Sequence, residues 1–215
     1  MGQTVPMSED KAAHWDRRYR ERGFVWGTEP NRFLVEVAAG LPPGNALDLG
    51  CGQGRNSVWL AGRGHRVTGI DLSPVAIEHA GLLAAEAQVD VDFGVADLTS
   101  WRPAGRSWDL VVLSYLQVEA ADRRAIHAAA REALAPGGEL IVIAHHRDNL
   151  VAGVGGPQNP DVLFTEEDLL SDFDGLLIER CEKVIRPVVS DEVVGDAIDV
   201  LLVARSPGPP SSGSP

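Results

Sequence analysis

Three glycines occupy alternate positions directly after an apolar run, and this arrangement is suited to binding a small ligand. The run over residues 46–50 reads ALDLG with Asp48 inside it, and Gly50, Gly52 and Gly54 follow in the segment GCGQG. Glycines directly after a strand let the backbone approach a ligand closely at the carboxyl edge of a parallel sheet. A carboxylate beside them can accept hydrogen bonds from an ammonium group. The pattern therefore favours a ligand with a zwitterionic amino-acid end.

Two further carboxylates end the next two apolar runs. Asp71 ends RVTGID, where a carboxylate can take hydrogen bonds from both hydroxyls of a ribose. Asp97 ends VDFGVAD, where it would accept from an adenine amino group while Leu72 and Leu98 sandwich the ring. A single Asp at a strand end is more often a helix or turn cap. Three acids with three glycines together predict a nucleoside-containing ligand.

The glycine spacing distinguishes this site from two common nucleotide motifs. A nicotinamide or flavin fingerprint has glycine at relative positions one, three and six. Here the sixth position is Arg55 or Ser57, depending on which glycine is counted first. A phosphate-binding Walker loop needs Gly-Lys-Ser or Gly-Lys-Thr, and no lysine occurs between positions 11 and 183. The Walker loop is excluded, and an NAD-dependent oxidoreductase is a disfavoured alternative.

Apolar runs of strand type alternate with longer segments of helical periodicity, which indicates a parallel sheet flanked by helices. Five strands are predicted, over residues 46–50, 66–71, 91–97, 109–115 and 139–145. Helices are predicted over 8–22, 30–39 and 74–87, from about 119 to the APGGE turn at 135–139, and over 166–173. Ser73 with Pro74 marks a helix start, and Thr165 with Asp168 forms a capping box.

The end of the chain changes this alternation. Residues 176–189 and 197–206 are two strand-like runs without a helix between them, so they should pair antiparallel. The predicted fold class is α/β, a Rossmann-like doubly wound seven-stranded sheet. It is mostly parallel, has an antiparallel C-terminal hairpin strand, and carries helices on both faces.

Length and composition predict one domain and restrict its partners. The 215 residues are 44% hydrophobic, and the formal charge of −12 opposes binding to nucleic acid phosphates. No membrane span or secretory leader is recognisable, so a soluble cytoplasmic protein with a small-molecule substrate is expected. Cys51 and Cys181 are expected to be free thiols, with no metal site. We expect a flexible N-terminus over 1–7, a single domain over 8–205 with a helical lid over 8–44 and a core over 45–205, and a disordered tail over 206–215.

The glycine motif LDLGCGQG and the acid in GIDLS resemble those of class I S-adenosylmethionine-dependent methyltransferases over residues 46–205. This resemblance implies a methyltransferase domain with S-adenosylmethionine as cofactor and S-adenosylhomocysteine as product. It implies that Asp48, Gly50 and Gly52 meet the methionine end, Asp71 the ribose, and Asp97 and Leu98 the adenine. The whole predicted cofactor set is Asp48, Gly50, Cys51, Gly52, Gly54, Asp71, Leu72, Ser73, Asp97, Leu98 and Ser114, together with Trp15, Tyr19 and Trp26.

The lead segment HWDRRYRERGFVWGTEPNRFL resembles the thiopurine and tellurite-resistance branch, which acts on small soft nucleophiles. In that branch the lead segment folds over the cofactor. The resemblance implies that Trp15, Tyr19 and Trp26 close the pocket, and that Arg18 or Arg32 meets an anionic substrate group. Equally, the three aromatic residues could only anchor surface helices to the core.

Adjacent histidines follow the fifth strand, and His145 and His146 are the candidate catalytic residues. A substrate contact or general base is the first interpretation, a structural role the second, and a metal site the third, because neighbours in an extended chain point to opposite faces. The segment 147–163 is predicted to be a loop over the substrate or an ordinary surface loop.

The expected reaction is in-line methyl transfer to a small nucleophile through S, O, N or a chalcogen. A cofactor-binding regulator without catalysis is the second hypothesis. Nucleobase amino-methylation is disfavoured, because the chain has SYLQ where an Asn-Pro-Pro-Tyr type turn is needed.

Overall fold

The computed structural model describes residues 8–105, 107–189 and 194–208, with the side chains of 8–10 left out. The chain divides into two compact units, Met1–Trp101 and Arg102–Pro215, which we call the first and second units. A single domain over 8–205 stays a prediction. The expected flexible N-terminus, residues 1–7, lies outside the described residues.

Two helices open the first unit. Helix α1 is Ser8–Arg22, as predicted, and α2 is Arg32–Ala38. Helix α2 begins two residues later than predicted because Asn31 is its N-cap, and the Asn31 side chain accepts hydrogen bonds from the backbone N–H groups of Phe33 and Leu34. An N-cap residue lies outside the helix that it caps.

Three parallel strands with two crossover helices form the rest of the first unit. In chain order these elements are β1 (Asn45–Leu49), α3 (Arg55–Gly62), β2 (Arg66–Asp71), α4 (Pro74–Glu86) and β3 (Val91–Val95). Strand β2 pairs in parallel with both β1 and β3. The predicted helix start at Ser73 and Pro74 is confirmed, since the Ser73 hydroxyl accepts from the Ala76 N–H. Parallel pairing brings the carboxyl ends of all three strands to one edge.

The second unit contains the remaining four strands. In chain order its elements are β4 (Trp108–Ser114), α5 (Ala120–Ala133), β5 (Leu134–His145), α6 (Asn149–Ala152), a 3-10 turn (Pro160–Val162), α7 (Glu166–Asp172), β6 (Leu177–Val189) and β7 (Val194–Arg205). Strands β4 and β5 are parallel, whereas β7 pairs antiparallel with both β5 and β6. The predicted capping box of Thr165 and Asp168 begins α7. The antiparallel hairpin is confirmed.

Strand β5 begins earlier than predicted, at Leu134. Its first part pairs irregularly with β4. Helix α5 ends just before APGGE, as predicted, but this segment also belongs to the strand and bonds Ser206. The Ser206 N–H donates to the Gly138 carbonyl, and the Gly137 N–H donates to the Ser206 carbonyl. Ser206 is buried, so the ordered chain extends past the start of the predicted tail. Residues 209–215 lie outside the described residues.

The core of each unit consists of aliphatic side chains from the central strands. Leu47 and Leu49 are completely buried in the first unit, as are Val111, Ile141 and Leu202 in the second. Burial of such side chains is the main favourable contribution to folding. Among the described residues, no helix is both long enough and apolar enough to cross a membrane.

Candidate functional site

The loop after β1 has the backbone conformation that its alternating glycines predict. Gly50, Gly52 and Gly54 all have positive φ, at 73°, 54° and 82°. The N–H groups of Gly50 and Cys51 both donate to the Ile70 carbonyl, at 2.8 and 3.1 Å, so the loop is held against the end of β2. Positive φ is strained for residues with a Cβ atom. The glycines are therefore required by the path of this loop.

Gly54 has a packing role as well. A Cβ atom at this position would lie 2.8 Å from the Ala80 Cβ and 3.0 Å from the Phe93 ring. Gly54 is also the N-cap of α3. Its lack of a side chain thus allows α3 and α4 to approach each other, and this requirement is independent of any ligand.

Asp48 is a buried carboxylate with one oxygen in use. Its Oδ2 accepts a hydrogen bond from the Ser57 hydroxyl at 2.6 Å, whereas its Oδ1 has no partner among the described residues. Burial raises the pKa of Asp48 to about 6, the hydrogen bond from Ser57 opposes this, and the charge of Asp71 adds to it. A buried acceptor without a partner costs free energy. The Asp48 Oδ1 atom is therefore suited to a donor supplied by a ligand.

Asp71 links the glycine loop to the turn before α4. Its Oδ2 accepts from the Gly52 N–H at 2.8 Å, and its Oδ1 accepts from the Ser73 N–H at 2.9 Å. Burial raises the pKa of Asp71, although backbone hydrogen bonds from Ser73, Gly52 and Leu72 lower it. A carboxylate has about four lone-pair sites, so each oxygen can accept a further hydrogen bond.

The other side chains after β1 and β2 that were predicted to contact the cofactor have roles within the protein itself. The Ser73 hydroxyl donates to Asp16 of α1 and caps α4, and its backbone N–H donates to Asp71, so its predicted cofactor contact stays a prediction. Burial raises the pKa of the Cys51 thiol well above its usual range, which keeps it protonated. Leu72 is half-buried and follows Asp71 directly. These side chains shape the turn.

The segment after β3 forms a local turn. Asp97 Oδ1 accepts from the N–H and the hydroxyl of Thr99, at 2.9 and 2.7 Å, and Leu98 is buried. An Asp that caps a turn was the structural alternative to a ligand contact at this position. The other carboxylate oxygen of Asp97, Oδ2, takes part in neither hydrogen bond.

The lead segment places aromatic side chains at the glycine loop. The Tyr19 hydroxyl lies 3.4 Å from the position that a Gly52 Cβ would occupy, and Tyr19 is buried. Trp15 stacks on Tyr19 with ring centroids 5.8 Å apart. The Arg18 guanidinium lies over the rings of Trp15 and Trp26, 5.5 and 4.9 Å from their centroids. Trp26 is half-exposed, whereas Tyr19 and Trp15 pack against Val75 and Ala76 of α4, so both predicted roles of these aromatic residues stay predictions.

Three polar side chains in the glycine loop and at the start of α3 hold this lead segment, and the sequence predicted no role for them. Gln53 accepts from the Val25 N–H and donates to the Gly23 carbonyl. Arg55 donates to the Trp26 carbonyl, and Asn56 accepts from the Asn31 N–H. The only signal in the sequence was their position inside and just after GCGQG. Loop and lead segment thus form one hydrogen-bonded structure.

In the second unit, His146 is fully engaged. It is buried, its Nε2 lies 2.8 Å from Glu166 Oε2, and its Nδ1 accepts from the Asp148 N–H at 3.0 Å. Neither ring nitrogen is left for a substrate, which favours the structural interpretation of this candidate.

His145 and Ser114 have groups that remain available. The Nδ1 atom of His145 lies 3.0 Å from Asp199 Oδ1, whereas His146 contacts Glu166. The Nε2 atom of His145 is the ring nitrogen that remains available. The Ser114 hydroxyl is buried without a hydrogen-bond partner among the described residues. In the described part of the chain, no three His, Cys, Asp or Glu side chains are grouped as a metal site requires.

Comparison with known proteins identifies the family. A family model described as a methyltransferase domain matches residues 46–138, which include the glycine loop, Asp71 and Asp97. Residues 46–138 of the chain thus match a methyltransferase domain. The predicted family is thereby confirmed, whereas the thiopurine and tellurite-resistance branch stays a prediction.

A curated relative is similar to about half of the chain. The ubiquinone biosynthesis O-methyltransferase of Xanthomonas campestris pv. campestris is 35% identical over 116 residues, which are 53% of this chain and 48% of that protein. The chain thus spans about half the length of this curated relative.

Two solved structures share the fold. One, from work on the conversion of a disulfide bond into a thioacetal group during echinomycin biosynthesis, has a TM-score of 0.75 and 27% identity, covering 94% of this chain and 95% of that one. The other is the N-methyltransferase NodS of Bradyrhizobium japonicum WM9 with S-adenosylhomocysteine, with a TM-score of 0.68 and 21% identity over 90% of this chain and 98% of that one. The Rossmann-like α/β class is confirmed. The individual site residues of the methyltransferase domain stay predictions.

Proposed function

We propose that this chain transfers the methyl group of S-adenosylmethionine to a small-molecule nucleophile. The observation that carries the proposal is the buried Asp48 Oδ1, which has no partner among the described residues and lies in the strand that leads into the glycine loop. A ligand ammonium group, directly or through a water molecule, would supply the missing donor. This donor belongs to the amino-acid end of the cofactor.

The remaining polar groups of the first unit fit the rest of the cofactor. Asp71 keeps lone pairs for the ribose hydroxyls while it holds Gly52 and Ser73, and Asp97 keeps Oδ2 for an adenine amino group. Gly52 leaves open the space that a side chain would fill beside the Tyr19 hydroxyl. We therefore assign the methionine end, the ribose and the adenine to these residues in that order.

When bound, S-adenosylmethionine supplies a methyl group that is already electrophilic. The chain's own residues then need to bind, to align the acceptor and to exclude water. Trp15, Tyr19 and Trp26 are suited to exclude water, since Gln53 and Arg55 hold their segment at the glycine loop. Alignment of this kind corresponds to effective molarities of ~10⁵–10⁸ M.

A small acceptor agrees with the charge and with the relatives. The net charge of −12 disfavours nucleic acid, and the ubiquinone biosynthesis O-methyltransferase is named for a small molecule. The buried Nε of Arg18 has no hydrogen-bond partner among the described residues, and its guanidinium contacts two Trp rings. Arg18, more than Arg32, is therefore suited to an anionic group of the acceptor. A sulfur, oxygen, nitrogen or chalcogen atom of that acceptor would be attacked.

Titration calorimetry and a turnover assay test the proposal together. We expect binding of both S-adenosylmethionine and S-adenosylhomocysteine, no competition by NAD, and formation of S-adenosylhomocysteine with a panel of thiols and phenols. Binding without turnover on any acceptor would favour a cofactor-binding regulator. Absence of binding to either compound would refute the assignment.

The affinity for S-adenosylmethionine is expected to rise about tenfold between pH 5 and pH 6.5, because Asp48 with its pKa of about 6 must lose its proton to accept from the ammonium group. The stability of the cofactor-free protein changes in the opposite direction. Since the folded-state pKa is raised, the folded state binds the proton more tightly, and the free energy of unfolding increases as the pH falls from about 6 to about 4.

Calorimetry across this pH range measures the effect, and the variant Asp48→Asn provides the control. This variant keeps an acceptor for Ser57 but cannot ionise, so its weaker affinity should be independent of pH. A wild-type affinity that is the same at pH 5 and pH 6.5 would show that Asp48 does not meet the ammonium group.

A further inference from the structure

Four polar side chains meet at the carboxyl ends of β4 and β5 in the second unit. His145 ends β5, Asp199 pairs directly opposite it in β7, Tyr115 follows β4, and Arg186 lies in β6. We call these residues the Asp199 cluster. In chain order they are up to 84 residues apart, yet their hydrogen bonds all converge on one carboxylate.

Asp199 is completely buried and accepts three hydrogen bonds. Its Oδ1 lies 3.0 Å from His145 Nδ1, while its Oδ2 accepts from the Tyr115 hydroxyl at 2.6 Å and from Arg186 Nε at 2.8 Å. Burial alone would raise the pKa of Asp199, but the hydrogen bonds from His145, Arg186 and Tyr115 lower it, so the group is ionised. An ionised carboxylate only accepts, so the proton of a neutral His145 ring is on Nδ1.

The ring of His145 is fixed on several sides. The Tyr115 ring lies 4.7 Å away, centroid to centroid, and Tyr115 has a φ of 56°, a strained conformation for a residue other than glycine. A Cβ at Gly156 would lie 3.2 Å from the His145 ring, and the backbone N–H of His145 donates to Gln117 Oε1. Strain of this kind persists where the surrounding structure determines it, and it concentrates at functional sites.

The remaining ring nitrogen of His145 is open. No described residue is hydrogen-bonded to Nε2, and the side chain is 13% exposed, whereas His146 is 4% exposed with both nitrogens engaged. The two histidines therefore differ sharply although they are neighbours. In doubly wound sheets, ligands bind outside the carboxyl ends of the parallel strands, which is where β5 places His145.

We infer that Asp199, Tyr115 and Arg186 position His145 as a general base for acceptors that react through O–H or N–H. The inference rests on the proposed methyl transfer. The acceptor proton passes to His145 Nε2 as the new bond from oxygen or nitrogen to the methyl carbon forms. The bond from carbon to the sulfonium sulfur breaks, and its electron pair stays on sulfur. The imidazolium is stabilised by the buried Asp199 carboxylate and later releases the proton to water. His145 is the catalytic residue, and the other three are positioning residues.

Nitrogen-15 NMR of the histidine rings tests the positioning without cofactor or acceptor. At pH 8 we expect the wild-type His145 ring to carry its proton on Nδ1, with Nε2 unprotonated. In Asp199→Asn the proton should redistribute toward Nε2, because the neutral amide no longer selects the Nδ1–H form. The control variant Lys183→Ala, at an exposed position of β6, should leave the His145 spectrum unchanged. A wild-type ring protonated on Nε2 would overturn the inference, whatever the activity.

Kinetics with two acceptors test the chemistry. We expect His145→Gln to lower kcat by roughly 10²–10⁴ with catechol, since a general base contributes about that much, and to change kcat little with thiophenol, which ionises readily. Equal losses on both acceptors would overturn the general-base role. Asp199→Asn should show the same acceptor selectivity, and thermal unfolding would show whether it folds.

Calorimetry with S-adenosylmethionine distinguishes a failure of the general-base inference from a failure of the proposed function. His145→Gln should bind the cofactor as the wild type does, because the base acts on the acceptor. A wild-type protein that fails to bind the cofactor would refute the proposed function, while the NMR result would still decide the tautomer.

Discussion

Asp71→Ala is expected to weaken binding of S-adenosylmethionine by about 1.5–3 kcal/mol, which is roughly 10–150-fold in Kd. Hydrogen bonds to a charged group are worth this much, and the variant removes the acceptor that we assign to the ribose. It also leaves the N–H groups of Gly52 and Ser73 without their acceptor. The free energy of unfolding should therefore fall by about 1–3 kcal/mol as well.

Titration calorimetry well below the unfolding temperature measures the affinity, and chemical denaturation measures the stability. Asp92→Ala is the matched control, because Asp92 is an exposed aspartate in the adjacent strand β3. It should change neither quantity appreciably. Unchanged cofactor affinity in Asp71→Ala would show that the ribose assignment is wrong.

Gly54→Ala is expected to lower the free energy of unfolding by about 2–5 kcal/mol. One part is the cost of a left-handed residue with a Cβ, about 1–2 kcal/mol, because φ is 82°. The other part is overpacking of about 1–3 kcal/mol, because the new methyl would lie 2.8 Å from the Ala80 Cβ and 3.2 Å from its Cα. Backbone and Cβ atoms cannot rotate away, so α4 must shift.

Gly27→Ala is the control that separates these two parts. Gly27 also has a positive φ, 70°, but a Cβ there would meet nothing within 4 Å. This variant should lose only the conformational part, about 1–2 kcal/mol. Denaturant unfolding of both variants gives the difference. In the double variant Gly54→Ala with Ala80→Gly, part of the loss should be recovered, since the two positions are in contact. Equal losses at the two glycines would contradict the packing argument.

The sequence by itself determined where two helices start and that the last two strands pair antiparallel. The start of α4 at Ser73 and Pro74 and the capping box of Thr165 and Asp168 formed as predicted, because a cap involves residues only three apart. The missing helix between the last two runs predicted the antiparallel hairpin of β6 and β7. Periodicity and turn chemistry operate within a few residues, so they can be read from the chain.

Where the sequence was wrong, long-range pairing replaced local preference. The APGG segment follows the end of α5 as predicted, but it was not expected to be the first part of β5, where Gly137 and Gly138 bond to Ser206. Ser206 belongs to a Ser, Pro and Gly-rich tail by composition, yet pairing buries it. Partners about 70 residues apart leave no periodic signal in either segment.

Only the tertiary structure decided how the site side chains are engaged. Gln53 and Arg55 hold the lead segment across 28 to 30 residues, and Asp199 selects His145 over His146 across 54 residues. The sequence placed both histidines at the end of one strand and predicted that they face opposite ways. Which partner each one meets depends on the register of β5 against β7 and on the packing of α7. Hydrogen bonds between distant side chains are set by this geometry, because residue type alone fixes which groups can donate or accept, not which ones come within 3 Å.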